Sequence, residues 1–502
     1  MTDSPVLTNH RAGLPSCCSR WNLMQVLRGI AVALLVCHWH PSSVQATTSD
    51  QTNNKPNIVF IFTDDQAPRA VAAAGDSRFI TPNIDRIFHE GAHLTNSFVT
   101  TPVCSPSRAG LITSRYGTQV GITDWIHPGQ EKDLGLDPNI VTWPKLMSQA
   151  GHRTGLFGKW HLGTADRFHP THFGYDTFAG IRSGGCPPKD PTIELRDGKT
   201  SKVAGYTCDI FTDLALEFLR ESDGSPFLVS LHFRAPHAAW LPVRPEDWEP
   251  FENLDPSIPN PDYPDLDVSL IKKRTREYLA SVKSVDRNVG RVLEFLDHQG
   301  LAENTIVVFT SDHGYNLGEH GVWYKGNAIR ALKKNPPQRW DNIPPNRRPN
   351  LWDTSLQVPT AIRWPGVITP GTKIDQTFSN LDWFPTLVSM CNLPVPDDPG
   401  LAGHDFTPIL RGQKVPWDND LYVEYSMHHG AKTAMRGWRT RDWKYIEDFA
   451  NPGRIELYDL KNDPRETVNL ARYRRADLEQ IKSQLRQRIL DRMKALDDPA
   501  SH

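Results

Sequence analysis

Asn57-Ile-Val-Phe-Ile-Phe62 runs straight into Thr63-Asp64-Asp65. An apolar run without polar alternation is the pattern of a strand covered on both faces. The same construction recurs along the chain. Thr305-Ile-Val-Val-Phe-Thr310 ends in Ser311-Asp312-His313-Gly314, and Phe227-Leu-Val-Ser-Leu-His-Phe233 leads to Ala235-Pro236-His237. A shorter run, Gly155-Leu-Phe-Gly158, leads to Lys159-Trp160-His161. Helical patterns fall between these runs, at Thr81 to His89, Val141 to Ala150 and Tyr278 to Leu296. The last keeps Val282, Val285, Val289, Val292, Leu293 and Leu296 on one face. Strands alternating with helices predict an α/β fold, a large mostly parallel central sheet flanked by helices. Ligands bind such sheets beyond the carboxyl ends of the strands. Each of these strands delivers a charged or imidazole-bearing group at that end, a convergence that helix capping by aspartate does not explain.

After Pro396-Asp-Asp-Pro-Gly400 the alternation changes character. Leu421-Tyr-Val-Glu-Tyr425, Ala434-Met-Arg436 and Trp443-Lys-Tyr-Ile446 alternate like antiparallel strands, and a charged helical pattern runs from Ala476 to about Asp497. A smaller C-terminal α+β subdomain over 391–502 is expected, behind a catalytic domain over 55–390. Trp438, Trp443 and Arg436 fit either a sugar-binding wall or, more simply, a hairpin packed on that helix.

The 502 residues are 38% hydrophobic and 23% charged, with a formal net charge of -2. That balance is that of a globular protein and argues against nucleic acid as partner, for want of a basic excess. Arg28 followed by Gly-Ile-Ala-Val-Ala-Leu-Leu-Val-Cys37, with Val44-Gln-Ala46 as cleavage region, reads as an export signal covering 1–46, with Met24 as an alternative start. The run is too short to span a bilayer, so the mature chain is expected to be periplasmic or secreted, without a membrane span. Beyond that segment four cysteines remain, Cys104, Cys186, Cys208 and Cys391; Cys186 and Cys208 could pair or stay free thiols.

Cys104-Ser-Pro-Ser-Arg108 precedes Ala-Gly-Leu-Ile-Thr-Ser114. Pro106 suits the first turn of a helix, which sets Cys104 just before the helix N-terminus, among unpaired N–H groups that favour an anion. Arg108, one turn on, offers a fork for an oxyanion. This pentapeptide resembles the signature of the formylglycine-dependent sulfatases of the alkaline-phosphatase superfamily. So do Asp64-Asp65, Gly158-Lys-Trp-His-Leu-Gly163, Ala235-Pro-His237, Asp312-His-Gly314, Leu317-Gly-Glu-His-Gly321 with Lys325, Val358-Pro359 with Arg363-Trp-Pro-Gly366, and Leu457-Tyr-Asp-Leu-Lys-Asn-Asp-Pro464. They follow in the family's order over roughly residues 55 to 470.

The resemblance implies a sulfuric-ester hydrolase whose Cys104 is oxidised to formylglycine by a maturation enzyme. It implies one Ca²⁺ held by Asp64, Asp65, Asp312, His313 and the modified residue 104; three carboxylates are the hard oxygen donors such an ion prefers. It assigns nucleophilic attack to residue 104 with help from Asp312. Arg108, Lys159 and Lys325 would stabilise the anionic transition state, His237 would protonate the leaving alcohol, and His161 would deprotonate the second hydroxyl of the hydrate. Export makes a sulfated saccharide the expected substrate. A phosphonate or phosphate diester hydrolase, and a non-catalytic glycan-binding relative, are the alternatives. Lys333 to Asn350, rich in Pro, Asn and basic residues, reads as a loop beside Lys325 that either shapes access to the site or lies solvated on the surface. His232, His320 and His404 carry no comparable support, and the His428-His429 pair lies in a segment that could approach the cleft, with a surface position as its default.

Overall fold

The computed structural model describes residues 55–501 apart from 77 and 222; the expected export signal lies outside the described residues. A ten-stranded sheet forms the centre. Its middle consists of β1 (Asn57–Thr63), β2 (Arg153–Lys159), β3 (Phe227–His232) and β4 (Thr305–Ser311), the elements the apolar runs predict. They lie side by side in the order β4-β1-β3-β2, all parallel, and Thr177–Ile181 extends them in parallel beyond β2. Both margins are mixed: Ala361–Arg363 runs antiparallel to β4, and Thr192–Glu194 antiparallel to Thr177–Ile181.

Every residue of β1 and β4 is buried. Ile58, Phe60 and Phe62 enter one core with Ile306 and Val308, whereas Val59 and Ile61 enter the core on the opposite face with Val307 and Phe309. A strand turns successive side chains to opposite faces, so a run apolar at every position demands cover on both. The long helix α2 (Val268–His298) supplies part of it, laying Val285, Val289, Val292, Leu293 and Leu296 into the second core. It starts about three turns before the predicted Tyr278, and there the Asp267 carboxylate accepts from Leu270 N–H as N-cap.

A second sheet joins Leu421–Tyr425, Met435–Arg439, Trp443–Asp448 and Ile455–Asp459, all antiparallel, with α3 (Ala476–Ala495) packed beside it. Arg436 is buried in a two-pronged pair with Asp498, at 2.5 and 2.7 Å. Trp438 and Trp443, both partly buried, pack against the same cluster as α3 residues, as a hairpin on that helix requires, and Trp438 also lines a cavity of about 420 Å³. A small antiparallel sheet, Asn316–Leu317, Val322–Tyr324, Asn327–Arg330 and Arg347–Pro349, carries Lys325 in its central turn. Here the expected loop over 333–350 is corrected: it ends in a strand, with Arg347 opposite Ile329 and Arg348 opposite Ala328. The two Pro-Pro pairs lie ahead of that strand and leave its pairing intact.

Candidate active site

The carboxyl ends of the four central strands meet at α1 (Cys104–Thr113), a helix whose ten residues are all buried. Val103 takes the N-cap position, so Cys104 is the first helical residue instead of preceding the helix, and Pro106 occupies the first turn. Because β1 and β4 pair in register to Thr63 and Ser311, the residues after them emerge together. The backbone N–H of Asp65 donates to Asp312 Oδ1 at 3.2 Å. Glycine is needed where β2 meets β3: Gly158 has φ 122°, and a Cβ there would stand 1.9 Å from the His232 carbonyl oxygen.

Cys104 Sγ lies 3.4 Å from Asp64 Oδ1, 3.5 Å from His313 Nε2 and 3.0 Å from Lys325 Nζ. Lys159 donates to Asp64 Oδ2 at 2.6 Å. Arg108 donates from Nε to Asp312 Oδ2 at 3.0 Å and from Nη1 to the Lys159 carbonyl at 3.0 Å, with its guanidinium 5.0 Å above the Phe62 ring. Lys325 Nζ stands 2.8 Å from Asp65 Oδ1, yet neither Asp65 oxygen has a well-aligned hydrogen bond. That contact is a charge pair without a directed donor.

The electrostatics follow from crowding in a dry site. Burial and the neighbouring carboxylates push Asp65 up to about 7 and Asp312 up to about 6. Burial would raise Asp64 too, but the Lys159, Lys325 and Arg108 charges together hold it well below the usual carboxylate range. Burial, then the Asp64 charge, pushes the Cys104 thiol up to about 12. Burial also holds His161, His237 and His313 well below the usual imidazole value, so all three are neutral.

Neutral rings with one carbonyl partner have an assigned tautomer, because a carbonyl only accepts. His313 donates from Nδ1 to the Gly314 carbonyl at 3.0 Å and turns the Nε2 lone pair toward Asp312 Oδ1, 3.2 Å away. Donor atoms of Asp64, Cys104, Asp312 and His313 all lie within 4.8 Å of one another. The Asp64 and Asp312 oxygens and the His313 Nε2 lone pair converging here suit a cation, and the two Asp65 oxygens point to the same need. Asp65 itself falls outside that set and groups with Asp64 and His237. His161 donates from Nε2 to the Ile126 carbonyl at 3.0 Å, leaving Nδ1 without a partner. His237 donates from Nδ1 to the Ala238 carbonyl at 2.6 Å and accepts at Nε2 from the Tyr324 hydroxyl at 3.4 Å.

Cys104, His161, His237 and Lys325 line a cavity of about 510 Å³, and the other groups of the cluster reach it through them. Asp65, His161 and Tyr324 have φ of 69°, 64° and 87°, a left-handed backbone that non-glycine residues seldom adopt. Strain of this kind persists where the surroundings over-determine it, commonly at functional sites.

Residues 56–393 match the family model described as Sulfatase, and residues 347–495 match that described as N-sulphoglucosamine sulphohydrolase, C-terminal. The chain belongs to the sulfatase family. It is similar to an N-acetylglucosamine-6-O-sulfatase of Bacteroides thetaiotaomicron, 28% identical over 85% of this chain and 84% of the relative. A steryl-sulfatase of Rattus norvegicus is 29% identical over 79% of this chain and 78% of its own. A sulfatase-fold structure solved in complex with its substrate D-glucosamine-2-N,6-O-disulfate superposes with a TM-score of 0.75 at 26% identity, covering 89% of this chain and 99% of that one. The protein is therefore a sulfuric-ester hydrolase of alkaline-phosphatase-like fold.

In this sulfatase the fold also brings to the cavity residues to which the sequence reading gave no role. Trp125, His127, Tyr324, Asn327, Arg347 and His429 line its walls. His429 corrects the surface reading of the His428-His429 pair: it lines the cavity, while His428 remains 44% exposed. Its ring packs 4.6 Å from Trp125, and Glu131 bridges His428 and His429 at 2.9 Å each. Gly184 closes the wall behind His161, where any Cβ would lie 2.6 Å from the imidazole. Cys186 and Cys208 are free thiols. Among the described residues no helix is long and apolar enough to cross a membrane.

Proposed function

We propose that this sulfatase is an exported enzyme that removes sulfate from a sulfated carbohydrate, with a nucleophile formed by oxidising Cys104 to formylglycine and with one bound Ca²⁺. The observation that carries this reading is the convergence of buried Asp64, Asp312 and His313 on Cys104, which lines one cavity together with Lys325. The carbohydrate assignment is supported by the names of the similar proteins, which include an amino-sugar 6-O-sulfatase. Catalytic machinery in 55–390 with a C-terminal subdomain over 391–502 is part of the same proposal, as is dependence on a maturation enzyme.

The hydrated aldehyde supplies two hydroxyls on one carbon, one to attack sulfur and one whose ionisation expels sulfate. Ca²⁺ would be held by Asp64, Asp65, Asp312, His313 and residue 104, and would supply a Lewis acid for sulfate oxygens. The residues themselves do the rest. Lys325, whose ammonium reaches both residue 104 and Asp65, places positive charge beside the attacking and bridging oxygens. Lys159 and Arg108 are fixed by carboxylates and add charge from the other side. Asp312 takes the proton of the attacking hydroxyl. His161 presents an unprotonated Nδ1, which suits a base for the second hydroxyl. His237 is neutral at rest, with Nε2 facing the Tyr324 hydroxyl, so its role as acid toward the leaving alcohol requires that this nitrogen first gain a proton.

Mass spectrometry of the peptide spanning residue 104, from protein made with a competent maturation system, tests the reading. An aldehyde at residue 104 is expected, together with turnover of p-nitrophenyl sulfate well above that of the corresponding phosphonate ester. Full activity with an intact thiol would refute the formylglycine mechanism, and preference for the phosphonate would move the enzyme to the diesterase class.

A further inference from the structure

The hairpin that carries Lys325 also builds a second basic surface. Successive residues of its last strand point to opposite faces. Arg347 accordingly lines the catalytic cavity with Ile329, while Arg348 lines a separate cavity of about 320 Å³ with Arg339, Trp340, Arg454, Arg472 and one carboxylate, Glu456. A small gap between them is walled by Arg347 together with Arg339, Trp340, Arg348 and Arg454. A cationic track thus leads from the reaction centre across the hairpin to the outer cavity.

Its charges are not balanced within the fold. Arg348 pairs with Glu456 and Arg454 with Asp448, each at 2.7 Å. Arg339, Arg347 and Arg472 have no carboxylate partner among the described residues. The guanidinium of Arg339 stacks 4.7 Å from the Trp340 ring, and Arg454 approaches the same ring at 5.8 Å. Arg454 is buried, and burial with the adjacent Arg348 charge holds it below the usual arginine range. Guanidiniums forced together around an open, aromatic-walled cavity fit planar or tetrahedral oxyanions through their forked donors.

We infer that the outer cavity is a second oxyanion subsite, binding a sulfate or carboxylate on another residue of the saccharide whose sulfate ester enters the catalytic cavity. The inference rests on the carbohydrate reading above and extends it from a single sugar to a polyanionic chain. The double variant Arg339→Gln/Arg472→Gln tests it; both side chains are exposed and neither supports the core. Binding of persulfated maltose and persulfated maltohexaose is measured by calorimetry in a Cys104→Ala background, which does not turn the probes over. Turnover of p-nitrophenyl sulfate is measured with residue 104 intact. The hexaose is expected to bind more tightly than maltose, and the double variant to weaken the hexaose about tenfold, the scale of two screened charge contacts. Maltose affinity and p-nitrophenyl sulfate turnover should stay unchanged. Hexagalacturonate, run alongside, distinguishes carboxylate from sulfate as the group held. No loss for either hexasaccharide, or equal losses for maltose and maltohexaose, would overturn the subsite while leaving the sulfatase activity standing. Absence of p-nitrophenyl sulfate turnover in the native enzyme would instead undermine the functional reading itself.

Discussion

Replacing Arg108 by lysine keeps the charge and removes the fork. In the structure Nε donates to Asp312 Oδ2 at 3.0 Å, Nη2 stands 2.9 Å from the same oxygen, and Nη1 donates to the Lys159 carbonyl at 3.0 Å. A lysine ammonium reaches at most one of these two acceptors. The Lys159 carbonyl would not be orphaned, because His232 also donates to it at 3.2 Å. The loss therefore falls on Asp312, which is fully buried. One charge-assisted hydrogen bond is worth about 1.5–3 kcal/mol. If that loss appears wholly in the transition state, kcat/KM drops between about 10- and 150-fold at about 1.4 kcal/mol per decade. Arg108→Ala goes further, stranding a buried carboxylate at a cost of about 3–5 kcal/mol in stability. Steady-state kinetics on p-nitrophenyl sulfate and thermal melts of both variants make the measurement. A lysine variant within twofold of native kcat/KM would refute the idea that Arg108 orients Asp312 for chemistry. A lowered melting temperature with unchanged kcat/KM would reduce Arg108 to a structural pin.

Calcium should raise the melting temperature of the native enzyme, by about 2.7 kcal/mol of stabilisation at a hundredfold excess over Kd. Asp65→Asn should shrink that shift, since its two oxygens lack aligned donors; an identical calcium response in the variant would remove Asp65 from the ligand set. Acid stability should depend on Glu456, where burial raises the pKa but Arg348 and Arg454 override it and hold it at about 2, against an ordinary 4.5. Its folded value lies below the unfolded one, so its stabilisation is complete above about pH 4.5 and is lost as pH falls toward 2, about 3 kcal/mol in all. Glu456→Gln should flatten the melting profile across that window, and an unchanged slope would exclude this carboxylate as a cause of acid sensitivity.

The centre of the fold was legible because β1 and β4 are buried on both faces and so carry the least ambiguous strand pattern available. The margins were not. Ala92-His-Leu-Thr-Asn-Ser-Phe98 mixes polar and apolar residues, and Ala361–Arg363 is a three-residue strand wedged antiparallel between its neighbours. Nothing local marks either as a member of the main sheet. At the site, residues placed directly after strands could be read, since the strand fixes where they emerge. Trp125 could not, and His429 and Arg347 were legible only as members of segments that could approach the site, because all three arrive through contacts between distant segments. Asp124, for example, accepts the backbone N–H groups of His428 and His429, residues 304 and 305 positions later. No periodicity signals such a pairing.

The parallel register also explains why the candidate site contains the residue types it does. Adjacent strands about 4.8 Å apart end in Asp64-Asp65 and Asp312, so packing alone forces three carboxylates together in a dry interior. Arg108, Lys159 and Lys325 answer them, each contacting one of the three carboxylates. With His313 neutral, three negative charges would balance the three positive ones only when every carboxylate is ionised, a state that the raised Asp65 and Asp312 pKa values make costly without a cation. An anionic sulfate ester entering such a site would add an uncompensated buried charge, which low-dielectric surroundings penalise heavily. A divalent cation entering among the carboxylates tips the balance to positive and makes room for that anion. The proposed Ca²⁺ is then more than a Lewis acid: it gives the ionised cluster the charge needed to admit its substrate.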